Sequence, residues 1–253
     1  MITNEIKYND GSVETLLFDP IPHKYYWNDE PIVSATNVTK LLTPANVIGL
    51  WSAKMCAEKF KHLVEAGTSY DEIQLIDFYD RIKKAPNDNM NTAGQIGTLI
   101  HDAIEDYIHT GKVPTMHNEQ MIKSFGKFKE WFDSQEDIEM VSTEFRVLSR
   151  IHKFCGTVDA LFKNKKTGKY IVYDWKTSSG IRSSYYVQIY LYKLAICEMY
   201  GYEIEEGIIV NATKEGKLNV KSFKIDSESD EVALACLKMH NFLNPKKKEK
   251  INA

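Results

Sequence analysis

The chain has 253 residues, 43% of them hydrophobic and 26% charged, with 13 Gly, 7 Pro and a formal charge of −3. That length supports one large or two small domains, and the composition excludes a disordered polymer, a collagen-like repeat and a generally basic nucleic-acid coat. No apolar run approaches the ~18–20 residues of a membrane-spanning helix, so no membrane partner is expected.

Residues 1–45 read as a β-rich opening. Leu16-Leu17-Phe18 runs into the turn formers Asp19-Pro20 and Pro22, then Tyr25-Tyr26-Trp27 precedes the turn Asn28-Asp29-Glu30. Ser34 is placed to cap a short helix through Val38, Leu41 and Leu42 that stops before Pro44. Residues 48–85 are helical in pattern, with Leu50, Trp51, Met55, Phe60 and Leu63 on one apolar face. A break at Gly67-Thr68-Ser69 precedes a second helix carrying Ile73, Ile76 and Tyr79. The turn-rich run Pro86 to Asn91 is expected to be a loop.

A helix from about 92 to 108 follows, with Ile96, Leu99, Ile100, Ala103, Ile104 and Tyr107 as its stripe and Gly111 as its end. A second amphipathic helix carries Met121, Phe125, Phe128, Trp131 and Phe132. Strands are expected over 139–148, 154–162 and 170–176, the last two joined by the hairpin run Lys163–Lys169. A helix over 184–200, a β-pair at 205–212 and 218–225, and a helix over 228–242 complete the order α-β-β-β-α-β-β-α. The fold class is therefore α/β with a mixed sheet flanked by helices, behind a helical N-terminal extension. Three regions are expected: residues 1–91 as extension, 92–243 as core, and 244–253 as a basic solvated tail.

The chemistry concentrates in Tyr170-Ile171-Val172-Tyr173-Asp174-Trp175-Lys176. Alternation along a strand turns Asp174 and Lys176 to one face and Tyr173 and Trp175 to the other. Such a pair at the end of an apolar strand is either a salt bridge emerging into water or part of a site. Fifteen positions upstream lies Gly156-Thr157-Val158-Asp159, and the hairpin makes the two strands neighbours. Asp159 can then approach Asp174, and two close carboxylates need a proton or a cation. A divalent metal would satisfy both, with Lys176 orienting water or stabilising charge on a phosphate.

These elements resemble the PD-(D/E)xK nuclease superfamily, with Gly156–Asp159 standing for its Pro-Asp element and Asp174-Trp175-Lys176 for its catalytic strand. Gln188-Ile189-Tyr190-Leu191-Tyr192 is similar to the Q-x-x-x-Y helix of the RecB-like branch, and Gly97-Thr98-Leu99-Ile100-His101 to its glycine–histidine helix. The resemblance extends more loosely to His23-Lys24-Tyr25 and Ser34-Ala35-Thr36, which look like the opening of phage-encoded exonucleases. Mitochondrial genome maintenance exonucleases share the Gly-Thr-x-x-His helix. The resemblance implies a restriction-endonuclease-like core and a metal held by His101, Asp159, Asp174 and Glu144. It further implies catalysis by Asp159, Asp174 and Lys176, with Gln188 and Tyr192 on the substrate. Asp174 stands where glutamate is common, one methylene shorter. Mg²⁺ or Mn²⁺ would serve, a nitrogen ligand favouring Mn²⁺. Cys155 and Cys197 fall inside core elements and no C-x-x-C pair occurs among the four cysteines, so no iron–sulfur cluster is expected.

The partner implied is DNA, as a single strand or a duplex end, with a single-strand-annealing or replication protein as a further candidate. Phosphates would meet Arg182, Thr177 and Ser178 beyond the catalytic strand, and Lys163, Lys165, Lys166 and Lys169 in the hairpin, unless those lysines are simply solvated. Tyr185 and Tyr186 would stack on unpaired bases or pack in the core. The extension, with Trp51, Phe60, Phe78 and Tyr79, would form a wall that threads a free end. The start of the chain lacks a basic-then-apolar leader, giving the expectation of a cytoplasmic protein, bacterial or phage-encoded. The leading expectation is a metal-dependent DNA exonuclease of replication, recombination or repair. A structure-specific endonuclease and a catalytically silent DNA-end-binding module are the alternatives.

Overall fold

A computed structural model describes residues 1–43, 45–65 and 72–245, with backbone alone for 45, 46, 72–74 and 76. The expected break at Gly67–Ser69, the stop at Pro44, the side chains of Ile73 and Ile76, and the tail beyond residue 245 lie outside the described residues.

Four short strands open the chain: β1 (Ile2–Lys7), β2 (Val13–Asp19), β3 (Lys24–Trp27) and β4 (Glu30–Ser34). They form an antiparallel meander whose last strand pairs in parallel with β6 (Phe154–Asn164), Val33 opposite Phe154 and Ser34 opposite Cys155. Ser34 then caps α1 (Ala35–Thr39), its hydroxyl accepting from the Asn37 N–H, and the chain tightens into a 3-10 turn at Lys40–Leu42. The meander is thus continuous with the main sheet. Ile6, Leu16, Phe18 and Tyr25 pack in the same core as Val147, Leu161 and Ile196.

Helix α2 (Ala45–Glu65) packs on α3 (Glu72–Thr110), with the Phe60 and Phe78 rings edge-to-face at 5.7 Å. The expected apolar face of α2 is only partly covered: Leu63 is buried, but Leu50 and Phe60 are exposed. A two-helix hairpin buries one narrow seam and leaves the flanking positions to solvent.

The loop expected at 86–91 is not there. Helix α3 runs through Pro86, and the expected region boundary at residue 91 falls inside it. Proline has no N–H for the carbonyl four residues back, which here is Ile82. That carbonyl accepts instead from the Cys56 thiol of α2 at 3.4 Å. Asn89 and Thr92 turn their side chains onto the helix's own carbonyls, at Ala85 and Asp88, both 2.9 Å. Residues that form turns in isolation are tolerated because their polar groups are satisfied within the helix.

Beyond α3, α4 (Glu119–Phe132) is capped by Asn118, whose side chain accepts from the Met121 N–H. Then come β5 (Ile138–Ser149), β6, β7 (Tyr170–Lys176), α5 (Ser183–Tyr200), β8 (Ile204–Ala212), β9 (Leu218–Lys224) and α6 (Ser227–Leu243). The nine strands make one mixed sheet, ordered β1-β2-β3-β4-β6-β7-β8-β9, with β5 on the other edge of β6. Helices α1, α5 and α6 cover one face. On the other, α3 and α4 pack an aromatic core of Phe125, Phe128, Tyr173 and Trp175. This is the mixed α/β fold with flanking helices that the element order implies.

Strand β6 shares one edge between two partners. Strand β4 meets it at Phe154–Cys155 and β7 meets it only from Ala160 onward, so Gly156–Asp159 face a fork between them. The Tyr192 ring from α5 closes the base of the fork. A Cβ on Gly156 would sit 2.7 Å from Tyr192 Cε1, which is why no larger residue fits there.

Replacing Pro86 with alanine should raise the unfolding free energy by about 1–3 kcal/mol, because the Ile82 carbonyl regains its helical donor. Cys56→Ala should cost about 0.5–1 kcal/mol in the parent and less in the Pro86→Ala background. Urea denaturation of the four proteins measures this coupling.

Candidate active site

The fork opens into a cavity of about 760 Å³. Its floor carries Asp159 from β6, its walls carry Glu144 from β5 and His101 from α3, and Lys176 projects from the end of β7. One ligand atom from each of His101, Glu144 and Asp159 lies within 4.8 Å of the other two. These are groups from three elements far apart in sequence, and the sheet register brings them together. Antiparallel pairing of Thr143 with Ala160 and Phe145 with Val158 sets Glu144 opposite Asp159. Glu144 adopts a left-handed backbone at φ 45° within the strand. This conformation costs a non-glycine residue about 1–3 kcal/mol.

Asp159 accepts the Trp175 backbone N–H at 2.7 Å. Beyond Tyr173, β7 leaves β6 and continues with β8 alone, and the carboxylate takes the N–H that the departing strand would otherwise leave unpaired. Asp174 and Lys176 share a face, as alternation requires, with Lys176 Nζ 2.5 Å from Asp174 Oδ1. Asp174 is wholly buried behind the cavity rather than lining it. Neither of its oxygens accepts a well-directed hydrogen bond among the described residues. Of the four expected metal ligands, three converge directly, and Asp174 reaches the group through Lys176.

The electrostatics follow from burial. Desolvation raises the Asp159 and Asp174 pKa values, opposed by the Lys176 charge. Desolvation, then Asp159 and Glu105, push Glu144 up to about 8. Burial and the nearby Lys176 charge hold His101 down at about 4, leaving a neutral imidazole with a lone pair to donate. Burial presses on the Lys176 ammonium, but Asp174 and Asp159 outweigh it and raise its pKa. The cluster has three carboxylates and one ammonium, with Asp174 Oδ1 paired to Lys176 and Oδ2 without a partner among the described residues. This donor set fits a divalent cation, and its mixture of imidazole and carboxylate suits Mn²⁺ at least as well as Mg²⁺.

The remaining expected residues divide. Gln188 and Arg182 line the cavity, Arg182 at the start of α5. Gln188 Nε2 donates to the Tyr192 hydroxyl at 2.7 Å, and Tyr192 is buried against Gly156, so the pair acts as one braced unit. Thr177 and Ser178 do not line the cavity. Thr177 lies against Gly97, and the Ser178 hydroxyl holds its own loop by donating to the Gly180 carbonyl at 2.8 Å. Tyr185 faces the cavity with Lys176 Nζ 5.1 Å from its ring centroid, whereas Tyr186 packs on Phe223.

The hairpin lysines are elsewhere and engaged. Lys166 pairs with Asp137 and Lys169 with Glu205. Lys165 donates to the Glu136 carbonyl, and Lys163 sits over the Tyr170 ring. None of the four lines the cavity.

Sequence reasoning missed Arg146. Its guanidinium donates to Thr157, lies 5.2 Å from the Phe18 ring centroid, and leaves a buried Nε without a partner among the described residues. Tyr25 completes this wall, its hydroxyl 2.9 Å from Thr157 Oγ1. An arginine two residues after Glu144 on the same strand face was the available signal.

The pattern of the PD-(D/E)XK nuclease superfamily matches residues 112–242, more than half of the chain. The chain belongs to that superfamily. Members of this superfamily generally use divalent metals. The matched stretch contains Glu144, Asp159, Asp174, Lys176 and α5, and leaves His101 outside it. No curated protein matches. Among solved structures, that of SSO0001 aligns at 16% identity and a TM-score of 0.37, over 78% of this chain and 88% of that one. A candidate exonuclease from Eubacterium rectale aligns at 12% identity and a TM-score of 0.37, over 59% of this chain and 65% of that one. Both likenesses are loose, and the family rests on the sequence match.

Cation binding at this site must displace protons. Titrating the protein with Mn²⁺ at pH 7 should release protons, seen as a binding heat that changes with the ionisation enthalpy of the buffer. Above about pH 6.5 His101 is neutral folded or unfolded, while Glu144 still exchanges its proton up to about 8. Its raised pKa means that the cation-free fold loses stability as pH rises through that window. The rise in Tm on adding Mn²⁺ should therefore be larger at pH 8 than at pH 6.5. Asp174→Asn should leave the cation-free Tm equal or higher and reduce the Mn²⁺-induced rise.

Proposed function

We propose that this protein is a metal-dependent DNA exonuclease of the RecB-like branch, hydrolysing phosphodiester bonds from free ends in recombination or repair. The observation that carries the reading is the convergence of His101, Glu144 and Asp159 in one open cavity, with Lys176 lining it and Asp174 buried behind Lys176.

His101, Glu144 and Asp159 would hold the cation directly, and Asp174 would stabilise it through its charge and through Lys176. A bound divalent cation supplies Lewis-acid polarisation of the phosphate and lowers the pKa of water. The protein's own part is positional. Asp174 keeps Lys176 charged and fixes its reach, so that the ammonium faces the negative charge that grows on the phosphate oxygens. The Trp175 N–H locks the Asp159 carboxylate in one rotamer. Gln188, braced by Tyr192, offers its amide to the substrate backbone, and Arg182 offers a guanidinium at the mouth. Family membership supports hydrolysis of nucleic acid, and the open cavity supports access by a flexible strand end.

Digestion of linear DNA labelled at either terminus, beside closed circular controls, tests the mode. Mononucleotide release from linear strands with Mn²⁺ or Mg²⁺, none with chelator, and intact circles are the expected results. Cut circles would instead establish an endonuclease, and inert DNA in every metal an end-binding module. Lys176→Ala and Asp159→Ala should each lower kcat by about 10²-fold or more, with strand binding in chelator largely retained.

A further inference from the structure

The catalytic cavity does not end at its own wall. His23, Tyr25 and Lys40 line it, and the same three residues line a second cavity of about 480 Å³ beside β3, β4 and α1. That second cavity shares Pro31, Ile32, Val33, His240 and Asn244 with a third, of about 680 Å³, between the meander and the end of α6. The three form one groove, running from the carboxylates across the N-terminal meander to Trp27 and Lys153.

The chemistry of the outer two cavities differs from that of the first. Lys24, Lys40 and Lys153 line them and are exposed, and none pairs with a carboxylate among the described residues. Lys40 Nζ donates to Asn37 Oδ1, and Lys153 Nζ stands 4.4 Å from the Trp27 ring centroid. Glu30 is the one carboxylate in their lining. Two aromatic groups stand beside these cations: His23, exposed and edge-on to Phe18 at 4.9 Å, and the half-buried Trp27. His240 adds a buried Nδ1 without a hydrogen-bond partner among the described residues. A track of free lysines interleaved with aromatic faces suits a polyanion whose bases are unpaired. A duplex presents phosphates but no base faces.

We propose that a single nucleic-acid strand with its terminal phosphodiester at the carboxylate cavity continues along this groove. Its phosphates meet Lys40, Lys24 and Lys153, and its bases meet His23 and Trp27. The meander is then the substrate track, a role that the sequence reading gave to the helical hairpin. This inference rests on the nuclease reading only for which end of the groove is reactive.

The test is strand binding to the metal-free protein in chelator, which needs no turnover. Fluorescently labelled strands of about 20 and about 4 nucleotides, and a blunt duplex, are titrated against wild type and the Lys24→Gln/Lys153→Asn double variant. Asparagine suits position 153 because its backbone is left-handed, φ 59°. The variant should bind the long strand about tenfold more weakly, with a salt slope lower by about 1–2. Affinity for the short strand, which spans only the inner cavity, should match wild type. Equal affinity for the long strand would overturn the groove, and an equal loss on the duplex would overturn the single-strand assignment. Weakened long-strand binding in a protein that cleaves nothing would support the groove while removing the catalytic reading.

Discussion

A single hydrogen bond organises this protein. Where β7 parts from β6, the Trp175 N–H is taken by the Asp159 carboxylate. A sheet cannot split without leaving donors unpaired in a dry interior, and each such donor costs about 1–3 kcal/mol. Here a side chain closes the ladder. The same carboxylate thereby becomes fixed at the root of the opening, and the cavity is a direct result of how the strands diverge.

Around that point the charges are arranged to be incomplete. Three acidic groups and one ammonium occupy a region where burial opposes ionisation. A protein built for stability alone would fill such a place with apolar side chains. The Asp174 Oδ2, without a partner among the described residues, and the neutral His101 imidazole leave this cluster with donor atoms that a cation could take.

Much of this was legible in the sequence, for reasons that can be named. Strands β5 to β9 and helices α5 and α6 show in alternation, periodicity and turn chemistry and start and stop within two residues of expectation, and α4 shows in its apolar stripe. Asp174 and Lys176 share a face because strand geometry leaves no other choice. Local rules failed where distant groups decide. Pro86 and its asparagines look like a loop until the Cys56 thiol from another helix meets the Ile82 carbonyl. The lysine-rich hairpin looks like a phosphate site until its partners Asp137 and Glu205 come into view. The union of β4 with β6 rests on two residue pairs more than 100 positions apart in sequence, and no spacing rule reveals it. With it went the wall of Arg146, Tyr25 and Phe18.

The left-handed backbone at Glu144 has a bearing on how such chains change over time. Glycine adopts that conformation without strain, so the fold itself does not call for a glutamate there. In a lineage released from its enzymatic duty, drift at this one codon would be rewarded with a sturdier molecule. The acid that stands there carries a folding cost that a glycine would not.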